Sequence, residues 1–166
     1  MSIAPSLKDS TIVWLAYAGV TLLAGMAVAV IVAAPWLRAH GHDLAAWVTY
    51  DAFHQICHQI PARSFFLWGQ PLAVCSRCSA IVSGGLAGLL LVPILRSLRA
   101  PLPKRRWLAI SVLACAVDVV RDWAGLPNSF VSRTITGSVV GALMAFYLVP
   151  AIVQAALQLC KRDAAS

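Results

Sequence analysis

The run "TIVWLAYAGVTLLAGMAVAVIVAAPW", residues 11 to 36, contains no Asp, Glu, Lys or Arg. Crossing a hydrocarbon core of about 30 Å takes roughly 20 helical residues, so this stretch is long enough to span a bilayer. A helix that is apolar all round has no polar face to turn to water. Three further segments are built in the same way: "PLAVCSRCSAIVSGGLAGLLLVPILRSL" (71 to 98), "RWLAISVLACAVDVVRDWAGL" (106 to 126) and "VSRTITGSVVGALMAFYLVPAIVQAALQLC" (131 to 160). The second begins polar and the third ends polar. With 60% hydrophobic and 11% charged residues, the composition also lies outside the range of soluble domains. The expected fold is all-α: one membrane domain over residues 1 to 166, a bundle of four transmembrane helices. The first run is too long for the apolar part of a signal peptide and "APW" is a poor cleavage site, so it is read as a retained helix.

Between the first two spans, "DLAAWVTYDAFHQICHQI" places Leu44, Trp47, Val48, Tyr50, Phe53 and Ile56 at helix-compatible intervals. Asp43 is the expected N-cap and Pro61 the expected stop. This helix, about 43 to 59, is too short and too polar to span, and is expected at the interface or re-entering the bundle on the outer side. Of thirteen Lys and Arg, five crowd one loop as Arg96, Arg99, Lys104, Arg105 and Arg106. Basic loops stay in the cytoplasm, and Lys8, Lys161 and Arg162 agree with both termini on that side.

On this topology Arg38, Arg63, Arg77, Arg121 and Arg133 belong to the outer half. So do Asp122 and Asp118, the latter roughly 18 Å along its helix from Arg106 at about 1.5 Å per residue. Four pieces of chain thus deliver polar residues to one level. Arg38, at a helix end, is read as snorkelling to the headgroups. Asp118 and Arg121 lie within a span, where an ionisable group is costly and faces a partner inside the protein.

The same level holds Cys57 and His58, and a Cys-x-x-Cys pair at Cys75 and Cys78. Three thiolates and one imidazole form a sufficient tetrahedral set for zinc. His54, one helical turn before Cys57 and His58, is a substitute ligand or a group that orients one; His40 and His42 read as loop residues. An iron or iron-sulfur centre ranks below zinc, because the spacing matches no familiar cluster run. The competing chemistry is redox: a Cys-x-x-Cys at a helix amino terminus, with Arg77 between the thiols, has its thiolate stabilised. A merely structural disulfide or buried thiols rank third. Cys115 and Cys160 read as apolar fillers.

The residues Cys57, His58, Gln59, Pro61, Arg63, Ser64, Phe65, Gly69, Cys75, Arg77, Cys78 and Gly84, then Asp118, then Arg133, Thr136 and Gly137, form an ordered pattern. In it the chain resembles a family of small prokaryotic integral membrane proteins catalogued as a domain of unknown function. The resemblance runs from about residue 50 to 141. It implies a prokaryotic cytoplasmic membrane location and one constellation made of the Cys/His set, the Asp, the Arg and the Thr-Gly pair. One departure is "SAIVSG", where Ser79, Ala80 and Val82 replace the Thr, Gly and Tyr expected of the pattern. Gly84 and Gly88, and Gly137 and Gly141, are small-x-x-x-small pairs that let helix backbones approach closely.

The leading expectation is a metal-dependent membrane enzyme, a hydrolase or transferase, with Cys57, His58, Cys75 and Cys78 on zinc at the extracytoplasmic face. Asp118 is the expected proton acceptor, and Arg133, Arg63 and Arg121 complete the catalytic set. Arg63, Arg77, Arg133 and Thr136 are the expected contacts of an anionic substrate group, because the planar guanidinium fork suits phosphate or carboxylate. A lipid or isoprenoid phosphate is the expected substrate class. The alternatives are a quinone-linked thiol-disulfide oxidoreductase and a non-catalytic metal-stabilised scaffold. A transport path is disfavoured, since the spans offer few polar residues toward the cytoplasm. Nucleic acid is excluded as a partner despite the net charge of +7, because the basic residues mark topology and contact with anionic lipid.

Overall fold

A computed structural model describes residues 7–126 and 128–163. The side chains of Lys8, Lys161 and Arg162, used above for topology, lie outside the described ones. Five α-helices follow in order: α1 (Leu7–Ala39), α2 (Asp43–His54), α3 (Ser76–Leu95), α4 (Arg105–Trp123) and α5 (Phe130–Asp163). Between α2 and α3 come a 3-10 turn, Pro61–Arg63, and a small antiparallel hairpin of β1 (Phe66–Leu67) and β2 (Gln70–Pro71).

The bundle is organised around α3 and α5, whose glycines meet. A Cβ added at Gly84 would lie 2.4 Å from the Ser138 carbonyl oxygen, and one at Gly88 2.6 Å from that of Ala142. From the other side, a Cβ at Gly137 would come within 2.8 Å of the Arg77 carbonyl oxygen. The two small-x-x-x-small pairs therefore pack on each other, backbone to backbone, the device that holds helices together where lipid removes the hydrophobic drive. α1 lies along α3 and α5, α4 flanks α5, and α2 rests on α1. At the end that carries the basic loop, Val13, Leu89, Val92, Leu98, Ala145, Val149 and Val153 form one core cluster. At the other, Ile31, Leu72 and Val74 surround Cys57 and Cys75 in a second.

Among the described residues three helical segments are long and apolar enough to cross a membrane: Ser10–Ala39, Ser76–Leu95 and Phe130–Cys160. α4 is not one of them. It has 19 residues and includes Arg105, Arg106, Asp118, Arg121 and Asp122. Much of the apolar surface is uncovered by protein, as a lipid-facing bundle requires: Leu22, Leu23, Leu95, Leu113 and Ile94 are all more than 60% exposed. All six tryptophans are exposed as well. Trp14 and Trp107 stand at one end of the bundle, Trp36 and Trp123 at the other, as in the aromatic belts of membrane proteins.

Helix boundaries differ from the sequence expectation around α2 and α3. α2 stops at His54, five residues before the expected end, because the amides of Ile56 and Cys57 both turn back to the Phe53 carbonyl and Gln59 adopts φ +50°. Pro61 is not the stop: it opens the 3-10 turn, where its missing N–H costs nothing. Asp43 is the first helical residue rather than the cap, a position in which its charge favours the helix dipole. α3 begins at Ser76 rather than 71, since Gln70 and Pro71 are taken by the hairpin. The turn of that hairpin, Trp68-Gly69, has φ +52° and +73°, the double positive φ of a type I′ turn.

Candidate functional site

Three cysteines converge where the 57–60 segment meets the start of α3. Gln59 fixes that segment: its side-chain amide donates to the Tyr50 carbonyl at 2.6 Å and to the Ala73 carbonyl at 2.8 Å. The Tyr50 hydroxyl in turn donates to the Pro71 carbonyl. Cys75 is the N-cap of α3, in extended backbone with φ −66° and ψ 165°, and Cys78 follows within the first turn. The sulfurs of Cys57, Cys75 and Cys78 all lie within 4.8 Å of one another. All five cysteines are free thiols, with Cys57 and Cys75 buried.

The chemistry of this trio is that of a thiolate centre. Thiolates bound to zinc at about 2.3 Å in tetrahedral geometry stand ~3.8 Å apart, so the observed spacing needs little closure. The Cys75 amide donates to Cys57 Sγ at 3.2 Å, the kind of contact that stabilises negative sulfur and orients a ligand. The Cys75 thiol is pulled below its ordinary value, foremost by the hydrogen bond from Cys78 and against the cost of burial. The deprotonated sulfur is the form that binds metal or attacks a disulfide.

The two histidines stand outside this group. His58 is exposed, and its Nδ1 accepts the Ile60 amide at 3.1 Å. That nitrogen is engaged by the backbone rather than turned to the sulfurs. His54 is exposed at the end of α2. Among the described residues, the group close enough to share one ion is the cysteine trio.

Beside it lies a buried ion-pair cluster tied to the trio through Arg77, which sits between Cys75 and Cys78. One Arg77 nitrogen, Nη2, donates to Asp118 Oδ2 at 2.8 Å and to Asp122 Oδ2 at 3.1 Å. Arg133 reaches Asp122 Oδ1 at 2.6 Å, and Arg63 approaches Asp122 Oδ2 at 3.7 Å. The remaining oxygen of Asp118 accepts the Ser132 hydroxyl at 2.7 Å, while Asn128 donates to the Asp118 carbonyl at 2.8 Å. The carboxylates are nearly sealed, with side chains 4% and 6% exposed; that of Arg63 is 36% exposed and forms the rim. Three arginines against two aspartates leave the cluster at +1. The Nε groups of Arg77 and Arg133 and the Ser76 hydroxyl are buried without a partner.

Sequence reasoning therefore placed Asp118, Asp122, Arg63, Arg77 and Arg133 at one level but gave no role to Asp122, the carboxylate with the most partners. Its signal was legible: Asp122 is four residues after Asp118, on the same helix face. Arg121, one residue before Asp122, is exposed and lies along a cleft with Asn128, Ser129 and Ser132. Thr136 donates to the Ser132 carbonyl of its own helix at 2.8 Å rather than into the ion pairs.

The chain is 39% identical over 103 residues to an uncharacterized protein of the archaeon Methanocaldococcus jannaschii, a match covering 61% of this chain and 66% of that protein. It thus spans just under two thirds of that relative's length. No solved structure matches. Residues 57–147 match the family described as "Predicted membrane protein (DUF2085)", a segment that begins at the first cysteine of the trio and takes in every member of the ion-pair cluster. The chain belongs to that family of membrane proteins.

Proposed function

We propose that Cys57, Cys75 and Cys78 bind one zinc-type ion at the outer face of the cytoplasmic membrane, beside an arginine cluster that receives an anionic group of a lipid-like substrate. The convergence of the three sulfurs from two chain segments is the observation that carries this reading. A soft thiolate set favours zinc or copper(I) over the oxygen-seeking ions. With three protein ligands one position stays available for water or substrate, the arrangement of catalytic rather than closed structural zinc. The bound ion would supply Lewis-acid polarisation there. Arg63 and Arg133 hold the anion, and Asp118, kept in place by Arg77 and Ser132, is the proton acceptor.

The membrane arrangement belongs to the same proposal. α4 makes a fourth span: Trp107 and Trp123 bracket it, and 16 residues at about 1.5 Å each give it roughly 24 Å between aromatic anchors. Its charged carboxyl end is neutralised by the ion pairs rather than by water. The basic loop between α3 and α4 then lies in the cytoplasm with both termini, and the cysteines face outward. α2 rests in the interface, with Leu44 and Trp47, both more than 60% exposed, turned to lipid.

Elemental analysis of the purified protein tests the centre. The expected result is about one metal per chain, lost in Cys75→Ser and in Cys57→Ser and retained, more weakly, in His58→Ala. A second reading is favoured by the depressed Cys75 thiol at a helix amino terminus: a thiol oxidoreductase in which two of the thiols close to a disulfide and pass two electrons and two protons to a membrane quinone, giving the quinol. Metal-bound thiolates become reactive on adding a chelator, whereas a disulfide needs a reductant. A metal-free parent whose thiols appear only after reduction would replace the first reading with the second.

A further inference from the structure

A cavity of about 360 Å³ opens at the end of the bundle that carries the basic loop. Its floor is core: Val13 of α1 and Leu98 of the loop are buried in one apolar cluster. Its walls are Trp14 on α1, Pro93 near the end of α3, and Arg96 and Arg99. Trp14 stands edge-on to Tyr17 with ring centres 5.8 Å apart, and the Tyr17 hydroxyl donates to the Leu89 carbonyl of α3 at 3.0 Å. The wall opposite the arginines is thus fixed to two helices.

Both cations keep their charge. Arg96 gives one N–H to the Pro101 carbonyl at 2.7 Å, a neutral acceptor, and its guanidinium has further N–H groups to give. Among the described residues the Arg99 guanidinium makes no hydrogen bond or ion pair; only its backbone amide is engaged, donating to Ser97 Oγ at 3.3 Å. Ser97 accepts in that bond, so its own O–H remains to be given. No carboxylate stands among the described residues that line the cavity, and a headgroup ammonium finds no partner there. Two guanidinium forks with a hydroxyl beside them match phosphate oxygens.

The surroundings select the source of the phosphate. Trp14 is 54% exposed, at the level where aromatic side chains mark the membrane–water boundary. Next to the lining residues, Leu15 on α1 and Ile94 and Leu95 on α3 are each more than 60% exposed. A soluble phosphate has no use for that apolar border, whereas a phospholipid covers it with its chains.

We propose that this cavity holds the headgroup of an anionic phospholipid, with the phosphate between Arg96 and Arg99 and the acyl chains along α1 and α3. The general pull of a basic loop on anionic lipid would be shared with Lys104, Arg105 and Arg106; the cavity singles out two arginines. The inference needs the basic loop to meet a membrane surface, on whichever side, and needs neither the cysteine centre nor its ion.

The test uses the full chain in phosphatidylcholine nanodiscs with a trace of phosphatidylglycerol carrying a photoactivatable diazirine near the head of one acyl chain. After illumination, adducts are expected on the peptides containing Trp14 and Pro93 to Arg99. Unlabelled phosphatidylglycerol should compete about 25-fold better than added phosphatidylcholine, two arginines at ~1 kcal/mol each near a bilayer surface converted at ~1.4 kcal/mol per tenfold. Arg99→Gln should lower that preference to about fivefold by the same conversion. Arg105→Gln removes the same charge from the same stretch outside the cavity and should leave the preference unchanged. Ser10→Trp, which fills the cavity, should reduce labelling of both peptides. Labelling spread evenly over the lipid-facing helices, equal losses in Arg99→Gln and Arg105→Gln, or displacement by inorganic phosphate as effective as by phosphatidylglycerol overturns the site. Cys75→Ser should label like the parent, so a failure of the proposed ion leaves this result standing.

Discussion

Replacing Asp122 with Asn is expected to unfasten α4 from the bundle and to cost about 3–5 kcal/mol, the usual penalty for removing one partner from a buried ion pair. For a chain of this length that is roughly 10 °C in the unfolding temperature, read in detergent by fluorescence-detected size exclusion after heating. The reason lies in the number of elements one carboxylate joins. Asp122 Oδ1 takes Arg133 of α5, and Oδ2 takes Arg77 of α3 and Arg63 of the 3-10 turn. An amide in its place keeps one acceptor and turns two N–H donors toward guanidinium groups, while the cluster rises from +1 to +2. Asp118→Asn should cost less, since its carbonyl oxygen can still accept from Arg77 and the helix carbonyl still receives Asn128. A double variant of Asp122→Asn with Arg133→Gln should recover part of the loss by removing the stranded positive charge. Equal melting of Asp122→Asn and the parent would show that these ion pairs do not hold α4.

This cluster also shows what a sequence gives up readily and what it withholds. The apolar runs announced helices, and their polar ends announced that charge would gather at one level, because an ionisable side chain in a span needs a partner. The pairing within that level was harder to read. Asp122 lies in the polar last turn of α4, where a charge is ordinarily solvated, and the fold shows Arg77 of α3 and Arg133 of α5 closing on it. The cysteine trio was legible as one group because Cys57 and the Cys-x-x-Cys pair fall at the same polar level of the sequence. Its fourth member was not: His58 follows Cys57 directly, yet the chain leaves α2 at His54, and the neighbouring residue Gln59 turns into positive φ. Adjacent residues then point to different surroundings, Cys57 inward and His58 to the exterior. The hairpin at 66–71 escaped notice because two-residue strands carry no periodicity, and Trp68-Gly69 is not one of the usual dipeptides of a type I′ turn.

Gly141→Ala should be the most damaging single-methyl change in the protein. A Cβ there would stand 2.0 Å from the Ile81 carbonyl oxygen and 2.7 Å from the Gly85 nitrogen, both backbone atoms of α3 that no rotamer change can move. The helices must part, and the separation spreads to Gly84, Gly88 and Gly137, which depend on the same close approach. Overpacking a well-fitted contact typically costs about 1–3 kcal/mol and sometimes more; an interface closed by four glycines belongs at or above the upper end. Gly19→Ala is the matched control: nothing lies within 4 Å of its added Cβ, and replacing a helical Gly by Ala stabilises by up to ~1 kcal/mol. The expected order of melting is Gly19→Ala at or above the parent, Gly88→Ala below it and Gly141→Ala lowest, with much of the last recovered as aggregate. The thiolate centre gives an independent reading of the surviving folded fraction. Cys57, Cys75 and Cys78 are assembled from α3 and the segment before it, so the ion proposed for them should stay bound wherever α3 itself remains formed. A Gly141→Ala protein that melts with the parent would mean that α3 and α5 stand further apart than these glycines require.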